Sequence, residues 1–86
     1  MPYSRHNYPA PPPIREFGEF RTHDGHVWDQ TDEGETYDNS CVAIAHHAEG
    51  WVCLADTKHN LADQTPLFFT PIEWSKFERA IREGRL

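Results

Sequence analysis

Histidine and cysteine are the side chains of this sequence whose chemistry could bind a metal ion. The 86 residues include His6, His23, His26, His46, His47, His59, Cys41 and Cys53. Zinc sites in small proteins use pairs of ligands a few residues apart. The two cysteines are twelve positions apart, no Cys-x-x-Cys pair exists, and His23 and His26 flank a predicted turn. The spacing favours solvated turn histidines, and we expect neither a metal ion nor a cofactor.

A cysteine nucleophile would need a nearby base and a positive electrostatic setting. Between Thr22 and Thr57 the sequence has eight acidic residues and no Lys or Arg, and this field would raise the pKa of a thiol. We therefore predict that the protein is not an enzyme and that Cys41 and Cys53 are reduced. A single disulfide between them across a hairpin is the alternative that the sequence leaves open.

The acidic stretch is densest between Asp24 and Asp38, and it has two interpretations. It is either a solvated loop or a surface that docks on the basic DNA-reading surface of another protein. The candidate contact residues are Asp32, Glu33 and Glu35.

The formal net charge of −6 argues against phosphate contacts by the chain itself. Direct DNA binding through a C-terminal helix is kept as an alternative. Its basic residues would be Lys76, Arg79, Arg82 and Arg85.

Length and proline content divide the chain into a tail and one domain. Five of the seven prolines lie within the first 13 residues, where they remove backbone donors and favour polyproline II. We predict a Pro-rich flexible tail over residues 1–14 and a single small domain over 15–86.

The longest apolar stretch is far below the roughly 18 residues that span a bilayer. The N-terminus lacks a signal-peptide pattern, so we expect a cytoplasmic protein without membrane contact.

Alternating apolar residues after position 15 predict β-strands. Segments 16–22 and 26–30 flank an Asp-Gly pair and predict a first hairpin. A second hairpin follows a polar loop and is predicted to be central, because both of its faces are fairly apolar. Its predicted faces are Val42, Ile44, Val52 and Leu54 on one side and Cys41, Ala43, Trp51 and Cys53 on the other. Segment 67–69 gives a short last strand.

The pattern changes from period 2 to period 3.6 at residue 70, which predicts a helix over 71–83. Thr70 is a suitable N-cap, Pro71 suits the first helical position and Glu73 completes a capping box. Apolar residues then recur at helical spacing, and Gly84 is placed to end the helix. These apolar residues are Trp74, Phe77 and Ile81.

The predicted fold is an α+β domain, a small antiparallel sheet of four or five strands with one C-terminal helix packed on a face. Phe69, Trp74 and Phe77 would form the core beneath the helix. Trp51 and Phe68 would lie on the second face, which is left exposed if one helix covers only one side. An apolar second face on so short a chain predicts a homodimer or a partner protein.

Three blocks of the sequence carry a family resemblance. They are Asn39-Ser40-Cys41-Val42-Ala43-Ile44-Ala45, a strand ending in Asp56-Thr57-Lys58, and Phe69-Thr70-Pro71-Ile72-Glu73-Trp74 followed by Phe77 and Gly84. With Trp28 thirteen positions before Cys41, residues 26–86 resemble a small actinobacterial family of unknown function. It is the family that includes the Streptomyces developmental regulator BldB. Ala43 and Ala55 stand where that family has Glu and Arg.

The resemblance implies a regulatory protein without catalytic activity. The partner it implies is a helix-turn-helix regulator of the Xre type, in actinobacterial development or secondary metabolism. A toxin-like or antitoxin-like effector paired with such a regulator is the alternative. Asp56 and Lys58 match family positions and are candidate contacts with the partner. Alternatively, Asp56 accepts backbone N–H groups in the turn after its strand.

Overall fold

The fold is a four-stranded antiparallel sheet followed by one helix, as predicted. The computed structural model describes residues 9–30 and 41–86. The elements are β1 (Arg21–Thr22), β2 (Val42–His46), β3 (Val52–Asp56), β4 (Leu67–Phe69) and α1 (Pro71–Arg82), with the strands adjacent in chain order. Two single-turn 3₁₀ helices are Ile14–Glu16 and Leu61–Asp63. Three predicted acidic contacts, Asp32, Glu33 and Glu35, lie outside the described residues, as do the first eight residues of the predicted tail.

The first hairpin has the predicted turn but shorter strands. Gly25 adopts a φ of +89°, which the tight turn requires. The backbone N–H of Thr22 donates to the carbonyl of His26 over 2.9 Å. Pairing with β2 is confined to Arg21 and Thr22, so the prediction of a strand over 16–22 is wrong for all but its last two residues.

The second hairpin forms the centre of the sheet and alternates as predicted. Ile44 lies opposite Leu54, and Ala45 lies opposite Cys53. The aliphatic residues of β2 and β3 therefore share one face, and the Ala and Cys residues share the other. Gly50 closes the connecting turn with a φ of +98°.

The core lies on the sheet face that carries the small side chains. The buried residues of that face are Ala43, Ala45, Cys53 and Ala55, and the large side chains that cover them are Phe17, Phe20 and Trp28. The rings of Phe20 and Trp28 meet edge to face with centroids 5.6 Å apart. Because Ala and Cys side chains are short, this face leaves space above the sheet for aromatic rings. The segment before β1 therefore packs across this face instead of continuing as a strand.

Trp51 and Phe68 lie on the core side of the sheet. Phe68 is opposite Cys53 in the register and its ring centroid is 5.7 Å from that of Phe17. Trp51 also packs, half-buried, against the core. Both thus lie on the sheet face away from the helix, as predicted, but the prediction that this face is exposed is wrong. The physical reason is that the N-terminal aromatic residues, and not the helix, cover the face to which they belong.

Helix α1 forms with the predicted N-terminus but does not cover the core. The N–H of Glu73 donates to Thr70 Oγ1 (3.2 Å) and the N–H of Thr70 donates to Glu73 Oε1 (2.9 Å), which completes the predicted capping box. No residue of α1 is buried. Within the described residues no helix is long and apolar enough to cross a membrane.

Three aromatic residues next to the helix form a cluster outside the core. The ring of Phe69 lies 5.9 Å from that of Trp74 and 6.4 Å from that of Phe77. Phe69 pairs with Val52 and thus lies on the sheet face opposite the core. The prediction that these three residues form the core is wrong, because the aromatic residues before β2 already fill it.

Candidate interaction surface

The sheet face opposite the core is left largely uncovered by the described residues. Val42 is 54% exposed and Leu67 is 55% exposed, although both are aliphatic strand residues. Ile44 and Leu54 lie beside them on the same face and are half-buried. These four side chains, called the open face below, form an apolar surface across β2, β3 and β4. A contiguous exposed apolar surface of this kind is typical of a protein interaction site.

Helix α1 covers one end of this side of the sheet. Val52 is buried there without belonging to the core cluster, next to its partner Phe69. Phe77 and Ile81 nevertheless remain 41% and 51% exposed. Together with Trp74 they occupy one side of the helix, called the helix stripe below. The apolar surface therefore continues from the open face through Phe69 onto α1.

A polar cluster borders the open face at the end of β3. The backbone N–H of Lys58 donates to Asp56 Oδ1 over 2.8 Å, and Lys58 Nζ lies 3.1 Å from Asp56 Oδ2. The hydrogen bond from the Lys58 N–H is the main cause of the lowered pKa of Asp56. The hydrogen bond to the Asp56 carboxylate in turn raises the pKa of Lys58. Asp56 thus accepts a backbone N–H in the turn after its strand, as one of its two interpretations predicts. Both residues also line a shallow depression next to Val42.

Gln64 holds the backbone at this end of β3. Its Oε1 accepts the N–H of Asp56 (2.9 Å), and its Nε2 donates to the carbonyl of Asp56 (2.7 Å). A side-chain amide thereby takes the place of a neighbouring strand. Thr57, the next residue, is buried, and its N–H donates to the carbonyl of Cys41 over 2.9 Å. No signal in the sequence points to Gln64, because its role depends on the loop that brings it back to β3.

The opposite border of the open face lies at β1. Arg21 shares the side of its register partner Ile44, and its guanidinium donates to Glu19 (2.8 Å) and to the carbonyl of Gly25 (3.0 Å). Arg21 and Glu19 line a second shallow depression together with Val42. Val42 thus borders both depressions.

The two cysteines lie far apart on the hairpin. Both are free thiols. Cys53 is opposite Ala45, whereas Cys41 precedes β2, so they are separated by roughly 13 Å along the strands. This distance is too long for a disulfide, and the alternative of a hairpin disulfide is wrong. Burial raises the pKa of the Cys53 thiol to about 11, which keeps it protonated and unreactive at neutral pH.

His47 connects two parts of the fold. Its Nδ1 accepts the N–H of Glu49 (3.0 Å), its Nε2 lies 3.4 Å from Glu16 Oε1, and its ring packs against Phe17 with centroids 5.2 Å apart. These contacts hold the β2–β3 turn against the first 3₁₀ helix. Across residues 9–30 and 41–86, no three His, Cys, Asp or Glu side chains are close enough to hold a metal ion.

The basic residues of the C-terminal segment are partly neutralised by their neighbours. Arg79 and Arg85 each lie 3.0 Å from the carboxylate of Glu83. Residues 71–86 contain four Lys or Arg and three Glu, so the segment carries a net charge of only +1. A helix that binds DNA through phosphates would present a stronger positive field.

The structure brings some of the predicted contact residues to the apolar surface and excludes others. Asp56 and Lys58 lie at the border of the open face, whereas Trp51 and Phe68 lie on the core side. The sequence places the four aliphatic residues of the open face mostly on one predicted side but does not reveal that this side is uncovered. The missed signal is the composition of the other face, because Ala and Cys require large covering side chains.

No protein-family model, curated protein or solved structure matches the chain. The family resemblance of residues 26–86 therefore stays a prediction based on motifs. Ala43 and Ala55, which stand where that family has Glu and Arg, lie directly opposite each other and face the buried core. A Glu–Arg pair at these positions would be buried against Phe20 and Trp28, so the joint replacement by Ala suits this aromatic core.

Proposed function

We propose that the chain is a non-catalytic, cytoplasmic regulatory protein that acts through protein–protein contacts, with the open face and the helix stripe as its contact surface. The observation that carries the proposal is the exposure of Val42 and Leu67 on a sheet face. Apolar surface removed from water contributes about 25 cal/mol per Å². A partner that covers this face therefore supplies stabilisation that the described residues do not supply themselves.

A helix-turn-helix regulator of the Xre type is the proposed partner. The motif resemblance of residues 26–86 supports this choice. The net charge of −6 also suits a partner with a basic DNA-reading surface, because complementary charge accelerates association and excludes other proteins. An exposed helix of such a regulator could lie on the open face beside α1, as amphipathic helices do in apolar grooves.

Binding can be measured by calorimetry between the purified chain and the Xre-type regulators of the genome that encodes it. Leu67→Asp places a charge in the open face and is expected to weaken the complex at least about tenfold. Ile72→Asp is the matched control. Ile72 is 68% exposed, but it lies on the opposite side of α1 from the helix stripe, so this variant should bind like the wild type.

Binding of a regulator by Leu67→Asp at wild-type affinity would contradict the open face as the contact surface. Failure of all such regulators to bind would remove the proposed partner. A gel shift with DNA at low salt tests the alternative through α1. We expect no retardation, whereas retardation abolished by Arg82→Glu would favour direct DNA binding.

A further inference from the structure

We infer that His47 is a pH-sensitive switch, in which protonation of Nδ1 releases the β2–β3 turn from the imidazole ring and loosens the packing of that turn on helix α1. None of the groups involved belongs to the open face or to the helix stripe, so the switch is independent of the proposed partner. His47 is suited to this role because it lies between the first 3₁₀ helix and the turn, and the turn in turn contacts the start of α1.

The hydrogen bonds of His47 define where its proton lies. The backbone N–H of Glu49 can only donate, and its nitrogen lies 3.0 Å from His47 Nδ1, so Nδ1 is an acceptor and carries no proton. The neutral ring then has its proton on Nε2, which faces Glu16 Oε1 at 3.4 Å. The neutral imidazole thus donates to the 3₁₀ helix and accepts from the turn at the same time.

A second proton on the ring affects these two contacts in opposite ways. A charged imidazole has an N–H group at each nitrogen and no lone pair, so the N–H of Glu49 loses its acceptor and two donors face each other. The carboxylate of Glu16 gains an ionic attraction to the Nε2–H. Protonation therefore changes His47 from a bridge between both elements to a partner of the 3₁₀ helix alone.

Packing prevents the ring from avoiding this change. The side chain of His47 is only 10% exposed, and its ring lies against that of Phe17 with centroids 5.2 Å apart. Phe17 is itself buried over the core face of the sheet. A half-turn of the imidazole about its Cβ–Cγ bond would bring a carbon toward Glu49 and lose the same hydrogen bond.

The titratable groups around His47 come from the two elements that it joins. Among the described residues they are Arg15 and Glu16 of the 3₁₀ helix and His46 and Glu49 of the hairpin. Glu16 forms an ion pair with His47, whereas His46 is in the strand row of Val52, on the sheet face opposite the core. Glutamate ordinarily titrates near pH 4.3 and histidine near pH 6.5. A pH change between about 8 and 5 therefore acts mainly on histidine.

The turn transmits the change to helix α1. Gly50 follows Glu49 directly, and a Cβ on Gly50 would lie 2.9 Å from Pro71 Cγ. Two backbone hydrogen bonds remain in the turn, from the N–H of Gly50 to the carbonyl of His47 and from the N–H of His47 to the carbonyl of Trp51, each over 2.9 Å. Loss of the third bond therefore loosens the turn without opening it, and the contact between Gly50 and Pro71 changes with it.

NMR of the wild-type chain measures this hydrogen bond directly, through the scalar coupling between the Glu49 amide nitrogen and His47 Nδ1. We expect the coupling at about pH 8 and its loss at about pH 5, with the midpoint at which the His47 ring resonances change. The amide resonances of Gly50 and of Ile72, which follows Pro71, should shift with the same midpoint. A coupling that is absent at about pH 8 or persists at about pH 5 would overturn the inference. An Ile72 amide that stays constant would also overturn it.

His47→Asn is the matched control. The side chain of Asn accepts the N–H two residues ahead in turns, but it does not titrate. In this variant the Glu49 and Ile72 amides should show no midpoint between about pH 8 and 5, although the other histidines still titrate. An unchanged pH response would assign the effect to another group and overturn the inference.

Glu16→Gln separates the turn from the ion pair. This variant removes the carboxylate and keeps both Nδ1 and the Glu49 N–H, so the pH response of the Glu49 amide should remain. Loss of that response would assign it to the ion pair and overturn the role of Nδ1. Since the Glu16 side chain is 50% exposed, this variant and the wild type keep the inference testable if His47→Asn does not fold.

Discussion

At the scale of single residues, the two cysteines near the β2–β3 hairpin differ in burial and therefore in reactivity. Cys53 lies on the core face between alanines, and burial raises its thiol pKa to about 11. Cys41 directly precedes β2 and is half-buried. Since the thiolate is the reactive form, only Cys41 should react readily in the folded protein.

This difference can be measured by alkylation with iodoacetamide at pH 7.5 followed by mass spectrometry. We expect one adduct per folded chain, located on Cys41, and a second only after denaturation. Cys41→Ser is the control and should remain unmodified while folded. Rapid modification of both thiols in the native protein would contradict the burial of Cys53 beneath the aromatic core.

Asp56 gives a pH dependence of stability. Its pKa is lowered in the folded protein, mainly by the Lys58 N–H, so it stabilises the fold at pH values above the ordinary Asp pKa of about 3.9. That contribution is lost as the pH falls through the lowered pKa. Asp56→Asn should therefore reduce the melting temperature at pH 7 slightly, because the group is partly exposed. The difference from wild type should shrink as the pH falls below about 3.9. A difference that stays the same at acidic pH would contradict the role of the charge, and Glu78→Gln serves as the exposed control.

At the scale of elements, two turns with glycine at positive φ differ in what surrounds them. Gly25 has nothing within 4 Å of a Cβ, whereas a Cβ on Gly50 would lie 2.9 Å from Pro71 Cγ. Gly50 therefore satisfies two requirements at once, the backbone conformation of the turn and the close packing of that turn against the start of α1. The helix position depends on this second requirement.

Substitution of each glycine by alanine separates the two effects. Gly25→Ala should cost about 1 kcal/mol through backbone conformation alone. Gly50→Ala should cost at least about 1 kcal/mol more, because the proline ring must move. Urea unfolding followed by tryptophan fluorescence measures both. Equal losses would show that the turn and α1 are not tightly packed.

The elements that the sequence predicts well are those with local signals. The capping box between Thr70 and Glu73 and the alternation of β2 and β3 depend on neighbouring residues, and the structure contains both. Which sheet face is buried depends instead on Phe17 and Phe20, which precede β2 by more than twenty residues. The alternation gives two faces of similar hydrophobicity and does not show which of them is buried. For the same reason the sequence does not tell whether the face that carries Phe68 is exposed or buried.

At the scale of the whole molecule, the sheet separates two apolar regions with different roles. One side holds the core, in which Phe20 is 1% exposed. The other side holds the open face and the helix stripe, in which Phe77 is 41% exposed. Because burial of apolar surface drives folding, the core side contributes most of the folding free energy.

The same substitution on the two sides tests this division. Phe20→Ala should cost about 3 to 5 kcal/mol, because it leaves a cavity between Trp28 and the alanines of the sheet. Phe77→Ala should cost about 1 kcal/mol or less, because the side chain is partly in water already. Urea unfolding compares them. If Phe20→Ala fails to fold, Phe20→Leu and Phe77→Leu preserve the comparison, with the larger loss again expected at Phe20. Equal losses would place part of the core beneath α1 and contradict the division into two sides.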